Sequence, residues 1–241
     1  MHGGAPSVHN SGMRALVGGF LVVGLALSVV GCGTAPVDPA PVASRGPAVA
    51  VDAPRVVFLG DSLTAGFGLA EQEAFPAIVG ELLAARGTPI EVVNAGVSGD
   101  TSAGGLARLD WVLTGAPAVV VVELGANDGL RGQPLPNTEA NLREIVRRVR
   151  DMGSEVVLTA MDIPTSYGAQ YASGFAAMYP RIADDLDAVL IPRFLHEVIG
   201  GEGLMQADGI HPTAEGHRVL AEAVARGVAE ALSRRAGRRE N

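Results

Sequence analysis

The chain has 241 residues, 48% hydrophobic and 18% charged, enough for one sizeable core and too apolar for a disordered or fibrous protein. A formal net charge of −8 with only 4% aromatic residues leaves neither a basic stripe nor stacking platforms, which argues against nucleic acid as a partner. All 18 basic residues are Arg, so a Lys Schiff base, a Ser/Lys dyad and a Walker-type phosphate loop are excluded, and the single Cys excludes an internal disulfide, a cysteine zinc cluster and an iron–sulfur site.

Arg14 precedes an uncharged run from Ala15 to Val30, shorter than the roughly 20 residues of a membrane-spanning helix, and the run closes on Val29-Val30-Gly31-Cys32. Residues 1–31 read as a signal peptide, with Met13 an alternative start. The tetrapeptide resembles the bacterial lipobox, which implies acylation of Cys32 and a membrane anchor; an ordinary cleaved signal with an incidental cysteine is the alternative. Either reading implies export, to the periplasmic side of a bacterial envelope. Without residues 1–31, and so without Arg14, 210 residues remain with a net charge of −9. Residues 32–54, rich in Pro, Ala and Val, read as a tether, followed by a folded domain over 55–234 and a basic tail over 235–241.

From Arg55 onward, short β-branched runs alternate with longer amphipathic segments, the pattern of an α/β domain with a buried parallel sheet. Strands are expected at Val56–Leu59, Ile90–Asn94, Ala118–Leu124, Val156–Met161 and Ala188–Ile191. Helices are expected at Phe75–Arg86, Thr101–Leu113, Thr138–Met152, Phe175–Asp187 and Thr213–Arg234, with Thr138 as an N-cap and Gly153 as a stop. Such a chain makes a three-layer α/β/α sandwich, and right-handed crossovers put its functional loops at the carboxyl ends of the strands.

Those loops are Gly60-Asp61-Ser62-Leu63 after the first strand, Asn94-Ala95-Gly96-Val97-Ser98-Gly99-Asp100 after the second, and Gly125-Ala126-Asn127-Asp128 after the third. Asp208-Gly209-Ile210-His211-Pro212 precedes the last helix. A serine hydroxyl needs a neighbouring base to become a nucleophile. Ser62 sits at a strand-to-helix turn between Gly60 and Gly66, where a plain helix N-cap is the competing role. Ser98 lacks the Gly-x-Ser-x-Gly elbow and reads as a turn residue. Of the five histidines, His2 and His9 precede the signal core, and His196 and His217 lie in helical or apolar segments without an acidic partner at short spacing. His211 has Asp208 three residues earlier with Gly209 between, so one turn of chain brings carboxylate to imidazole; Asp208 as a simple helix cap is the alternative.

Taken together, the four blocks resemble those of the SGNH or GDSL hydrolases, in family order, and the stretch from Val56 to Leu232 is similar to the bacterial arylesterase, thioesterase and lysophospholipase branch of that family. The resemblance implies a flavodoxin-like five-stranded sheet and a serine esterase acting through an acyl-enzyme on aryl esters, acyl thioesters or lysophospholipids. It implies Ser62 as nucleophile, His211 as general base and acid, and Asp208 as its orienting carboxylate. It further implies an oxyanion hole made by the amides of Ser62 and Gly96 and the side chain of Asn127, on a mobile loop whose motion Gly125, Gly129 and Gly132 permit. Asn127 is also a natural turn former in Asn127-Asp128-Gly129. Asp61 and Asp128 are expected to make structural hydrogen bonds, and no metal-ligand spacing calls for a metal or other cofactor. Leu130, Ile163, Pro164 and Tyr167 are candidates for an apolar acyl groove. Deacetylation of an envelope polysaccharide, or non-catalytic binding in the envelope, are the competing functions.

Overall fold

A computed structural model describes residues 53–239. The expected signal peptide, Cys32 and the tether up to residue 52 lie outside the described residues.

The strands are β1 (Arg55–Gly60), β2 (Glu91–Gly96), β3 (Val119–Glu123), β4 (Glu155–Thr159) and β5 (Val189–Ile191), all parallel in the order β2-β1-β3-β4-β5. This is the flavodoxin-like order, and its switch point falls between β1 and β3. The central strands are buried on both faces: β3 is Val119-Val120-Val121-Val122-Glu123 without an exposed position. The helices are α1 (Ser62–Ala65), α2 (Phe75–Ala85), α3 (Ser102–Ala107), α4 (Leu109–Val112), α5 (Ala126–Leu130), α6 (Leu135–Asp151), α7 (Ala169–Leu186) and α8 (Ala214–Arg239). α2 packs on α8, and α6 packs on both α3 and α7, covering the sheet. Register sets Gly60 level with Gly96 on one side and with Glu123 on the other, so three loops leave the sheet side by side.

Several boundaries differ from the sequence expectation for identifiable reasons. The helix expected over Thr101–Leu113 breaks at Arg108 (φ −101°, ψ 7°), whose guanidinium is drawn inward to Asp100 and to the Gly60 carbonyl. Thr138 is not an N-cap. α6 starts three residues earlier, with Pro136 in its first turn, and buried Thr138 donates its hydroxyl to Asp128 instead. α7 starts six residues before Phe175 and contains Pro180. The last helix does not end at Arg234: residues 235–239 continue it, and Arg238 bonds to Glu155 and Asp187.

His217 belongs to the core where α2 meets α8. It is almost fully buried, its Nδ1 accepts the Phe75 backbone N–H at 3.0 Å, and its ring stacks on that of Phe75. Burial lowers its pKa from 6.5 to about 4. The folded state therefore binds this proton less readily than the unfolded chain. The contribution is present in full above pH 6.5 and is lost as pH falls toward 4, amounting to about 3 kcal/mol. In urea unfolding, the fall in stability between pH 7 and pH 4 is expected to be smaller by about that amount in His217→Gln. An unchanged fall would contradict the assignment.

Candidate active site

Ser62 opens α1 immediately after β1. The first amides of a helix lack intrahelical partners, and here the Leu63 amide is taken by Asp61 Oδ1 at 3.0 Å and the Thr64 amide by Glu123 Oε2 at 3.2 Å. Gly60 cannot carry a side chain: a Cβ there would collide with Thr64 and the Glu123 carboxyl. Gly66 ends the short helix in the left-handed region, φ 71°.

The imidazole arrives from the loop before α8. Asp208 folds the loop on itself, its Oδ1 accepting the amides of Ile210 and His211 at 3.0 Å each, and Gly209 supplies the positive φ of 73° that the turn requires. Asp208 Oδ2 lies 2.7 Å from His211 Nδ1, and His211 Nε2 lies 2.9 Å from Ser62 Oγ. The His211 bond, backed by the two amides, lowers the Asp208 pKa to about 2, so this carboxylate stays ionised across the physiological range. The Phe67 ring packs on His211 with centroids 4.5 Å apart.

Asn127 comes from the third loop, which is the short helix α5 and not an open loop. Gly125 takes φ 110°, and a side chain there would meet the Tyr179 hydroxyl, which donates to the Leu124 carbonyl at 3.0 Å. The Asn127 amide donates to Asp61 Oδ2 at 3.0 Å. Asp128, buried beside it, accepts from the Ser102 amide at 2.8 Å and its hydroxyl at 2.6 Å. The structural bonding expected of Asp61 and Asp128 is what the fold displays. Gly129 has helical geometry and abuts Ile163 and Phe175, so its missing side chain serves close packing rather than loop motion.

Ser62, Asn127 and His211 line a cavity of about 410 Å³ whose other walls include Leu63, Phe67, Leu130, Ile163, Pro164 and Ile199. Of the expected groove, Leu130, Ile163 and Pro164 are in place; Tyr167, on a 3₁₀ turn, is outside the cavity wall. Gly96 is a correction. It too is outside the wall, its amide donates to Asn94 Oδ1 at 2.9 Å, and a side chain there would strike the backbone of Thr64 and Ala65. Its place in the cavity is taken by Gly99, at φ 81°, next to Ser98. Sequence reasoning also passed over Phe67 and Glu123. The latter was legible only as one acid closing a run of four valines.

A serine hydroxyl within hydrogen-bond reach of an imidazole that a carboxylate holds, opening on an apolar cavity at a sheet switch point, is the geometry of a serine-type ester hydrolase. Comparison with known proteins gives the family: residues 58–219 match the GDSL-like Lipase/Acylhydrolase family, and the chain belongs to it. It is 42% identical over 173 residues to Esterase TesA of Pseudomonas aeruginosa, covering 71% of this chain and 86% of that one. It is 40% identical over 178 residues to Thioesterase 1/protease 1/lysophospholipase L1 of Escherichia coli K12, covering 73% and 84%. The crystal structure of the psychrotrophic esterase EstA from Pseudoalteromonas sp., inhibited by monoethylphosphonate, superposes with a TM-score of 0.70 at 32% identity, covering 74% of this chain and 98% of that one. The protein is accordingly an enzyme that hydrolyses ester bonds.

Proposed function

We propose that hydrolysis proceeds through an acyl-enzyme on Ser62 and that the preferred substrates are aryl esters, acyl thioesters or lysophospholipids with an apolar acyl chain. His211 takes the Ser62 proton as the hydroxyl attacks the ester carbonyl, then returns it to the departing oxygen or sulfur. Water, deprotonated by the same imidazole, releases the acid. Asp208 fixes the tautomer that presents a bare Nε2 to Ser62 and stabilises the imidazolium. The oxyanion is met by the amides of Ser62 and Gly99 and by the second N–H of the Asn127 side chain. The observation that carries this reading is the 2.9 Å approach of His211 Nε2 to Ser62 Oγ at the wall of the apolar cavity.

The cavity is far larger than an acetyl group fills, which favours a longer acyl chain over deacetylation of a polysaccharide. For p-nitrophenyl esters, kcat/KM is expected to rise from acetate through hexanoate by about fourfold per methylene buried, since each contributes about 0.8 kcal/mol. A maximum at acetate would favour the deacetylase reading instead. Export, acylation at Cys32 and a place on the periplasmic face of the envelope complete the proposal; they rest on the lipobox-like tetrapeptide and the preceding apolar run. Mass analysis of the mature N-terminus checks them.

A further inference from the structure

Glu123 takes no part in the acyl transfer, yet it is fully buried against the β1–α1 turn that carries Ser62. It stands at the carboxyl end of β3, level with Gly60, whose lack of a side chain lets the carboxyl approach the β1–α1 turn. Its Oε2 accepts three hydrogen bonds from that turn: the Asp61 amide at 3.2 Å, the Thr64 amide at 3.2 Å and the Thr64 hydroxyl at 2.8 Å. Its Oε1 is buried without a hydrogen-bond partner among the described residues. Asp61, itself 2% exposed, carries the connection outward, one oxygen accepting the Leu63 amide and the other the Asn127 side chain. The amides flanking Ser62 and the amide of Asn127 are thus tied, within two hydrogen bonds, to a single buried carboxyl.

We propose that Glu123 is a positioning residue for ester hydrolysis, acting through Asp61 and Thr64 to hold the Ser62 amide and the Asn127 side chain at the separation the oxyanion requires. Preorganised donors give their full stabilisation only when they need not move as charge develops, and three donors on one buried acceptor supply that rigidity. The inference rests on the reading of Asn127 as an oxyanion donor.

The same geometry defines the form in which Glu123 works. Burial pushes its pKa well above the carboxylate range, and the neighbouring Asp61 charge pushes the same way. Asp61 is raised by burial to about 6, with the hydrogen bonds from the Leu63 amide and the Asn127 side chain acting against the rise. Burial, with the nearby carboxyls of Glu123, Asp128, Asp61 and Asp162, also raises the Tyr179 hydroxyl. Two carboxyls in one dry site do not both ionise. Burial and the Asp61 charge favour the protonated form of Glu123, and an ionised Asp61 is a strong acceptor for the Asn127 amide. Gln reproduces that protonated acid: one acceptor oxygen for three donors and an uncharged second atom.

The test is kcat and KM for p-nitrophenyl butyrate in the full chain with Glu123→Ala, Glu123→Gln, Asp61→Asn and Asn127→Ala. Glu123→Ala is expected to lose kcat by about 30-fold or more with KM changed less than about threefold, and Glu123→Gln to recover most of the loss. Asp61→Asn keeps an oxygen for the Leu63 amide but offers an N–H where Asn127 needs an acceptor, and is expected to lose kcat by about tenfold or more. In an Asn127→Ala background, which itself costs about 100-fold, Asp61→Asn is expected to cost little further. Glu123→Gln as impaired as Glu123→Ala, or Asp61→Asn losing as much without Asn127 as with it, overturns the proposal; these two arms decide even if Glu123→Ala fails to fold. Wild-type kcat in Asn127→Ala overturns the oxyanion reading itself, a result separable from the others.

Discussion

Ser62→Ala is expected to lower kcat/KM for a short-chain p-nitrophenyl ester by about ten-thousand-fold or more, the loss seen when a hydrolase is left with only its binding pocket and oxyanion donors. Fold and stability are expected to persist, because the side chain is half-buried and, among the described residues, its hydroxyl is hydrogen-bonded only to the imidazole of His211. The melting temperature should move by no more than about 2 °C. Adding His211→Ala to Ser62→Ala is expected to cost almost nothing more, since hydroxyl and imidazole act as one unit. Steady-state assays beside thermal melts check both statements. Turnover above a hundredth of wild type in well-folded Ser62→Ala would remove the hydroxyl from its role.

Asp208→Asn carries the second large effect. The carboxylate accepts from Nδ1 at 2.7 Å, which leaves Nε2 unprotonated toward Ser62. An asparagine amide in the same place donates to Nδ1, moves the proton to Nε2 and removes the base from the serine. The expected loss in kcat is on the order of 10³ to 10⁴, with KM little changed. Because Asp208 is held at about 2, its own protonation does not enter the pH–rate profile above pH 4. Any acidic limb in that range comes from other groups. Wild-type kcat in Asp208→Asn would show that the imidazole is oriented by something else.

The parts of the fold that were legible in the sequence are those where one local signal dominates. Four successive β-branched valines in a short run favour a strand buried on both faces, and the Asp208-Gly209-Ile210-His211 spacing closes a turn by itself. Positions decided by distant neighbours were not legible. Gly96 closes β2 and Gly99 lies three residues beyond, and spacing alone does not choose between them; the Asn94 carboxamide takes one amide and the α1 backbone seals that glycine in, while the other reaches the cavity. Thr138 has the chemistry of a cap, but Asp128 claims its hydroxyl from inside the domain. Arg108 interrupts a continuous helical pattern because the Gly60 carbonyl and Asp100 lie within reach only once β1 is in place. Glu123 is the clearest case. In the sequence it is an acid at the end of a strand, and only the register that sets it level with Gly60 places it against the turn that carries Ser62.

The most direct measurement is the site of covalent modification by a fluorophosphonate ester, read by peptide mass spectrometry and by the crystal structure of the adduct. The account predicts a single phosphonyl group on Ser62 Oγ, its P=O oxygen within hydrogen-bond distance of the Ser62 and Gly99 amides and the Asn127 side chain, and no adduct in Ser62→Ala. An adduct on Ser98, or a phosphonyl oxygen turned away from all three donors, would contradict it.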